Sequence, residues 1–530
     1  MSLPARAAAA ALTAVVLAAC GGASTPARPE TPVSPGATRP AGTARLVDLA
    51  DAQPLSVIWG AGAGDFRSDV PAMAAADFDG DGADDLLIGA RFADGPDEQR
   101  ADSGEAYLVR GGAGLAAATD LAAGDQALTV FGARAGDGLG FSAAAADVND
   151  DGLDDVIIGA PFAAGQADSQ EGAVYVLFGG SGLRGRLDLA SQPAGLTLLG
   201  PSSGSFFGDS VASGDVNADG TADIIVGATF AAGAAGAGRP GAVYVFFGSA
   251  GLEGRRDAAA GEFDFAFTGA EDLDEVGDAV AAGDVNGDGP DDIIITAEAA
   301  DGPENARQTS GEVYVVYGSR QRRGTLSAAD GDQDVTIWGG DANDILGLSL
   351  AAGDVNGDGT DDVVAGARSA DGPDNSIEGA GEVIAVWGRD DLPQEIDLAE
   401  GAADVTLHGP DPGDLMATVA VMDATGDDSP ELVVATSLGD GQDNRRPEAG
   451  EAFMLDGREL GGELSVAAAA VLFHLVGAAE GDRLGAAFLG ADLTGDGRQE
   501  LVIMAEDRDG PEGSRRDAGQ VYVLDLRSGP

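Results

Sequence analysis

Residues 284–292 read DVNGDGPDD, and the phrase keeps returning: DFDGDGADD at 77–85, DVNDDGLDD at 147–155, DVNADGTAD at 215–223, DVNGDGTDD at 354–362, DATGDDSPE at 423–431 and DLTGDGRQE at 492–500. Successive copies begin 70, 68, 69, 70, 69 and 69 residues apart. A period that constant means one supersecondary unit repeated and packed on its neighbours. The phrase also carries chemistry, because carboxylates gathered on a tight glycine turn bind a hard cation through oxygen.

Outward from the phrase, the second copy holds four apolar runs at 141–148, 155–160, 173–178 and 195–199. Each is short, and most carry Val, Ile, Tyr or Phe between Gly/Asp/Pro-rich turns, which reads as strand. Four short strands per repeat and seven repeats predict an all-β fold, a seven-bladed β-propeller of four-stranded antiparallel blades. In four of the copies the first run, SAAAADV, SVASGDV, AVAAGDV or SLAAGDV, is rich in small residues, which suits the crowded innermost strand. LSVIWGA from Leu55 matches the fourth runs, and GQVYVLDL from Gly519 matches the third runs. The last blade is therefore expected to be closed by an N-terminal strand.

The acidic phrase lies between strands one and two. Its pattern is D-x-[DNT]-x-D-G-x-x-[DE], in which side chains at 1, 3, 5 and 9 and the carbonyl at 7 converge on one ion. The candidate ligands are Asp77, Asp79, Asp81, Ala83 and Asp85 in blade 1, and Asp147, Asn149, Asp151, Leu153 and Asp155 in blade 2. Blade 3 offers Asp215, Asn217, Asp219, Thr221 and Asp223; blade 4 offers Asp284, Asn286, Asp288, Pro290 and Asp292. Blade 5 offers Asp354, Asn356, Asp358, Thr360 and Asp362. The last two sets are poorer: Asp423, Thr425, Asp427, Ser429 and Glu431, with Asp428 in place of the glycine, and Asp492, Thr494, Asp496, Arg498 and Glu500. Ca2+ is expected at five loops and at up to seven. An EF-hand is excluded, since position 12 is Ile88, Ile158, Val226, Ile295, Ala365, Val434 or Ile503 rather than an acid.

Taken with FGARAGDGLGFSAAAADVNDDGLDDVIIGAPFAAG from Phe131 and YVLFG from Tyr175, the repeats resemble the FG-GAP repeats of the integrin α-subunit propeller. The likeness covers about residues 46–530. It implies a propeller whose calcium sites stiffen one face. It does not carry over integrin activity, because the leg domains, the inserted domain and the transmembrane helix of that family have no counterpart here.

The N-terminus, MSLPARAAAAALTAVVLAACGG, reads as a signal peptide over 1–19 with a lipobox ending at Cys20, the expected site of lipidation. Residues 20–45 are Pro-, Gly- and Ala-rich and read as a disordered tether of roughly 25–30 Å end to end. The propeller occupies 46–530. These features predict an exported bacterial lipoprotein of the cell envelope, on the outer membrane or cell surface, held to the membrane only by its lipid. Cys20 is the sole cysteine, so no disulfide is available and calcium takes that stabilising place.

Charge narrows the partners. Lys and Arg total 29 against 90 Asp and Glu, a formal charge of -61, which excludes nucleic acid and anionic lipid as charge-driven partners. The polar, varied 2–3 loops, expected opposite the calcium and to be the longest, point to binding of a protein, matrix or envelope ligand, an adhesion scaffold rather than an enzyme. The pairs Arg445/Arg446 and Arg515/Arg516 are expected to neutralise nearby loop acids. A glycan-binding, lectin-like propeller is the alternative, although Trp59, Trp338 and Trp387 all fall in strand runs. Polysaccharide cleavage is less favoured, because the only histidines, His408 and His474, sit in expected fourth strands.

Overall fold

The computed structural model describes residues 44–67, 72–112, 115–164, 170–233, 238–427, 429–441 and 444–527, with the side chains of residues 374 and 512 left aside. The signal peptide, Cys20, most of the tether and Asp428 lie outside the described residues.

Seven sheets form, and none of the described residues is α-helical. The second strands, such as Asp155–Ala160 (DVIIGA) and Asp292–Ala297 (DIIITA), are buried along their whole length. Runs apolar on both faces suit a sheet packed between two others. In every sheet strands one to four pair antiparallel from the axis outward, in chain order in blades 1 to 6. First strands of neighbouring blades pack together all the way round, including blade 7 on blade 1. The small residues expected there, AAAA at Ala143–Ala146 for example, are mostly buried. Seven apolar clusters fill the seven spaces between consecutive sheets, so the core is a ring of wedges. Close blade packing also explains the glycine before each third strand. Gly311 has φ +78, and a Cβ there would lie 2.1 Å from the Leu346 carbonyl oxygen of the next blade.

The expectation of four strands per blade is corrected to five. The fifth, outermost strand comes from the following blade's 3–4 connection and pairs parallel to strand four. Gly185–Asp188, Gly254–Asp257, Gly324–Ser327, Glu395–Asp397 and Gly462–Ser465 serve blades 1 to 5 in this way. Ala118–Asp120 serves blade 7. Arg45–Asp48 serves blade 6, with Arg45 opposite Phe473.

The predicted closure is present and is doubled. Ser56–Trp59 is strand four of blade 7, with Ser56 opposite Val523 and Trp59 opposite Gln520. The preceding strand, Arg45–Asp48, closes blade 6 as well. One N-terminal segment therefore ties two blades. The longest connections are the 3–4 segments, such as 110–127, rather than the 2–3 loops, such as 91–104, because the former carry the extra strand.

Candidate metal centres and the opposite face

The seven acidic phrases all form 1–2 turns at one end of the ring. Their geometry is set by the first aspartate, which folds the loop around itself. Asp77 accepts N–H groups of Gly80, Asp81 and Gly82 at 2.8, 3.0 and 2.8 Å. Asp284 accepts from Asp288 and Gly289 at 3.0 and 2.9 Å, and Asp147, Asp215, Asp354, Asp423 and Asp492 act alike. The turn needs left-handed backbone at position 6, where Gly220 has φ +94, and also at position 4, where Ala218 has φ +55.

The ninth residue lies deepest. Asp85, Asp155, Asp223, Asp292, Asp362, Glu431 and Glu500 are all buried. Asp155 accepts from Val148 N, Gly179 N and the Asn149 amide at 3.1, 2.8 and 3.4 Å. Asp223, Asp292 and Asp362 are bonded to Asn217, Asn286 and Asn356 in the same way. Thr425 and Thr494 hydroxyls donate to Glu431 and Glu500 at 2.8 and 3.4 Å. Loops with Thr at position 3 therefore hold a longer acid at position 9.

Burial pushes the carboxyls of Asp223 and Asp292 up to about 8, and those of Asp155 and Asp362 to about 7. Neighbouring aspartates of each loop add to the rise. Several acids around one buried carboxylate call for a counter-charge. Where no arginine enters the loop, the donor set fits a hard cation: all oxygen, mostly anionic, with the Asn149 Oδ1 atom buried and without a hydrogen-bond partner. Oxygens of Asp77, Asp79 and Asp81, and of Asp423, Asp427 and Glu431, each lie within 4.8 Å of one another.

Three features had no weight in the sequence reading. First, in four loops the eighth residue stitches the loop to the previous blade's loop. Asp291 Oδ2 accepts Asp215 N at 2.8 Å, Asp361 Oδ2 accepts Asp284 N at 3.1 Å, and Asp84 Oδ2 accepts Asp492 N at 2.8 Å. Second, arginines enter some loops: Arg110 Nη1 is 3.0 Å from Asp79 Oδ2 and bonds Asp85, and Arg527 Nη2 is 2.8 Å from Glu500.

Third, at the other end of the ring, four 2–3 loops carry an arginine that clasps the aspartate ending the fifth strand. Arg100 grips Asp188 at 2.8 and 3.0 Å, and Arg307 grips Asp397 at 2.7 and 2.6 Å. Arg515 grips Asp120 at 3.2 and 2.6 Å, and Arg446 grips Asp48 with one bond of 2.8 Å. Each aspartate also caps the turn that follows, as Asp397 accepts Ala399 N at 3.0 Å. Arg446 and Arg515 thus neutralise acids as expected, although the acids belong to a strand and not to the loops. In blade 5 the arginine position is Ile377 and the fifth strand ends in Ser465. There His408 bridges strands, its Nδ1 3.0 Å from Glu382 and its Nε2 3.1 Å from Glu463. His474 pairs with Glu451 at 2.7 Å and stacks on Phe453. Both histidines are structural ties of fourth strands.

The same end carries an aromatic row across blades 1 to 3. Phe141, Phe162, Phe206 and Phe230 meet edge to face at centroid distances of 5.9, 5.2 and 5.1 Å. Arg91 stacks on Phe92 and Phe141 at one end, and Arg239 on Phe230 at the other. Phe92 is 43% exposed, and Phe162, Phe206 and Phe230 are half-buried.

Fold and loops together define a class: a seven-bladed β-propeller whose 1–2 turns are acidic oxygen cages. The FG-GAP repeat family model matches residues 70–109, 139–177, 207–246, 276–316 and 346–385, so the chain carries five FG-GAP repeats, in blades 1 to 5. The chain is also homologous to integrin alpha subunits. It is 34% identical to integrin alpha pat-2 of Caenorhabditis briggsae over 241 residues, covering 43% of this chain and 17% of that one. With integrin alpha-3 of Mus musculus it shares 36% over 156 residues, 27% of this chain and 14% of the relative. Phosphatidylinositol-glycan-specific phospholipase D of Bos taurus is 31% identical over 225 residues, 41% and 25% of the two chains. The chain thus spans about a quarter or less of the length of each of these relatives. Among the described residues no helix is long and apolar enough to cross a membrane.

Proposed function

We propose that this protein is a calcium-stabilised adhesion scaffold, anchored in the cell envelope through lipid on Cys20, that binds a protein ligand with the face opposite its cation loops. The observation that carries the reading is the aromatic row Phe162–Phe206–Phe230, half-open to solvent and backed by the buried Phe141, on a face whose loops are clasped by arginines. Aromatic anchors on a rigid frame supply contact area at low cost in entropy. Homology to integrin alpha subunits favours a protein or matrix partner over an enzymatic role, and the histidines are committed to glutamates.

The test is affinity capture from envelope extracts with the intact chain and with Phe162→Ala/Phe206→Ala. The reading expects a partner retained by the first and lost by the second at unchanged melting temperature. A partner held equally by both refutes this face. Changing Cys20 to Ser should release the protein from the membrane fraction; continued membrane association refutes the anchor.

A lectin-like role is favoured by one other feature, a groove of about 310 Å3 on the rim of blade 4 lined by Glu312, Tyr314, Gln333, Thr336 and Trp338. Gln333 Oε1 is buried there with no hydrogen-bond partner. A glycan-array signal abolished by Trp338→Ala would select this reading instead, and a polysaccharide-cleavage assay tests the enzymatic one.

A further inference from the structure

The seven loops are not equivalent in what surrounds their buried ninth residue. In blades 2 to 5 the residue following the third strand is Phe178, Phe247, Tyr317 or Trp387. In blade 1 that residue is Arg110, whose Nη1 lies 3.0 Å from ligand position 3, Asp79, and bonds ligand position 9, Asp85. Its other nitrogen donates to the Leu183 carbonyl at 2.9 Å, which aims the guanidinium into the loop. In blade 7 Arg527, two residues beyond Asp525, enters the loop with two nitrogens, Nη2 toward position 9 and Nη1 toward position 5. It is 2.8 Å from Glu500 at position 9 and 3.7 Å from Asp496 at position 5, and it is oriented by Asp525 at 2.7 Å.

Calcium requires its oxygens at about 2.3–2.6 Å around one centre. A guanidinium held against two of those ligand residues stands in that space, and its charge repels a divalent ion. We infer that Arg110 and Arg527 are tethered cations that close the first and seventh loops in place of calcium, leaving the ion to loops without such an arginine. This rests on the reading that the other loops bind calcium.

The two arginine-filled loops are neighbours. Asp492 N donates to Asp84 Oδ2 at 2.8 Å, and Asp84 N donates to the Asp492 carbonyl at 2.9 Å. They flank the seam where the N-terminal strand completes blade 7. The seam is therefore fastened by covalently attached charge and stays closed when free calcium falls.

Calcium ions per chain, counted by native mass spectrometry at limiting calcium, test this. Asp288→Asn should lower the count by one, while Asp81→Asn, which spares the arginine pair, should leave it unchanged. Arg110→Gln should raise the count by one, and adding Asp81→Asn should remove that ion; Arg527→Gln should likewise add one. Loss of an ion in Asp81→Asn with Arg110 present, or an unchanged count in folded Arg110→Gln, overturns the inference while leaving calcium binding intact. Should Arg110→Gln fail to fold, Asp81→Asn alone decides. A chain that binds no calcium at all overturns both this inference and the calcium reading beneath it.

Discussion

Arg446→Ala removes the clasp on the strand that closes blade 6. Arg446 holds Asp48 with two charge-assisted bonds, one of 2.8 Å, and donates to the Gly477 carbonyl at 2.6 Å. The two side chains are 30% and 26% exposed, so solvent screening limits the ion pair to about 1 kcal/mol. The carbonyl bond from a charged donor adds about 1 kcal/mol. A loss of roughly 2 kcal/mol is expected. In a chain of this size the unfolding entropy is roughly 1 kcal/mol per kelvin, so the melting temperature moves by only about 2 °C. Local opening of the strand is a far more sensitive readout, since about 2 kcal/mol corresponds to roughly thirtyfold faster exchange. Hydrogen–deuterium exchange over residues 45–59 is the assay, with Arg100→Ala as comparison, because the strand that Arg100 clasps lies mid-chain. The hydrogen bond to Arg446 holds the Asp48 carboxyl below its usual range. The stabilisation is therefore present above the unfolded carboxylate value and fades as pH falls through the lowered folded value, so the variant and the parent should converge in acid. Exchange at 45–48 that stays within about threefold of the parent at neutral pH refutes the role assigned to the clasp.

His408 should titrate above the usual histidine range. Burial alone lowers its value, but Glu382 and Glu463 on both ring nitrogens outweigh that. Its stabilisation is complete below the unfolded value and lost as pH rises through the raised folded one, so blade 5 should loosen toward alkaline pH; an imidazole NMR titration at or below about 6.5 refutes this. Removing calcium with a chelator should lower the melting temperature by roughly 10 °C if four sites are loaded at a hundredfold over their dissociation constants, since each then contributes about 2.7 kcal/mol. An unchanged melt refutes structural calcium. Ala218→Gly should stabilise by about 0.5–1 kcal/mol, because Ala218 is held at φ +55 where glycine is unstrained. Calcium-saturated unfolding curves of the two forms test it, and a less stable glycine form refutes it.

The blade count, the inner strands, the acidic 1–2 turns and the closing strand at Ser56–Trp59 were legible because each rests on a local, repeated pattern. The fifth strands were not. Gly185–Asp188 and Gly254–Asp257 are short, polar and partly exposed, and they pair with a partner in another repeat. The signal was nonetheless present: RLDLA before LTLLG and RLVDLA before LSVIWG are the same strand–turn–strand phrase. The clasps join residues such as Arg307 and Asp397, too far apart in the chain for spacing to show. Position 8 of the loop carried no signal because Ala222, Pro430 and Gln499 break its run of aspartates, and Asp84, Asp291, Asp361 and Gln499 bond outside their own turn.

Because each blade borrows its outer strand from the next, the repeat in the sequence and the blade in space are out of step. No blade is finished when its own residues have been made. During synthesis the segment carrying Arg45–Asp48 and Ser56–Trp59 emerges first, yet its partners, Val471–Val476 and Gln520–Leu524, emerge last. At about 5–20 residues per second that interval is on the order of half a minute to a minute and a half. Ala118–Asp120 follows early and can take one edge of the apolar strand LSVIWG, but the other edge stands unpaired throughout that interval. The molecule that is hardest to open once complete is the most exposed to mispairing while it is being built.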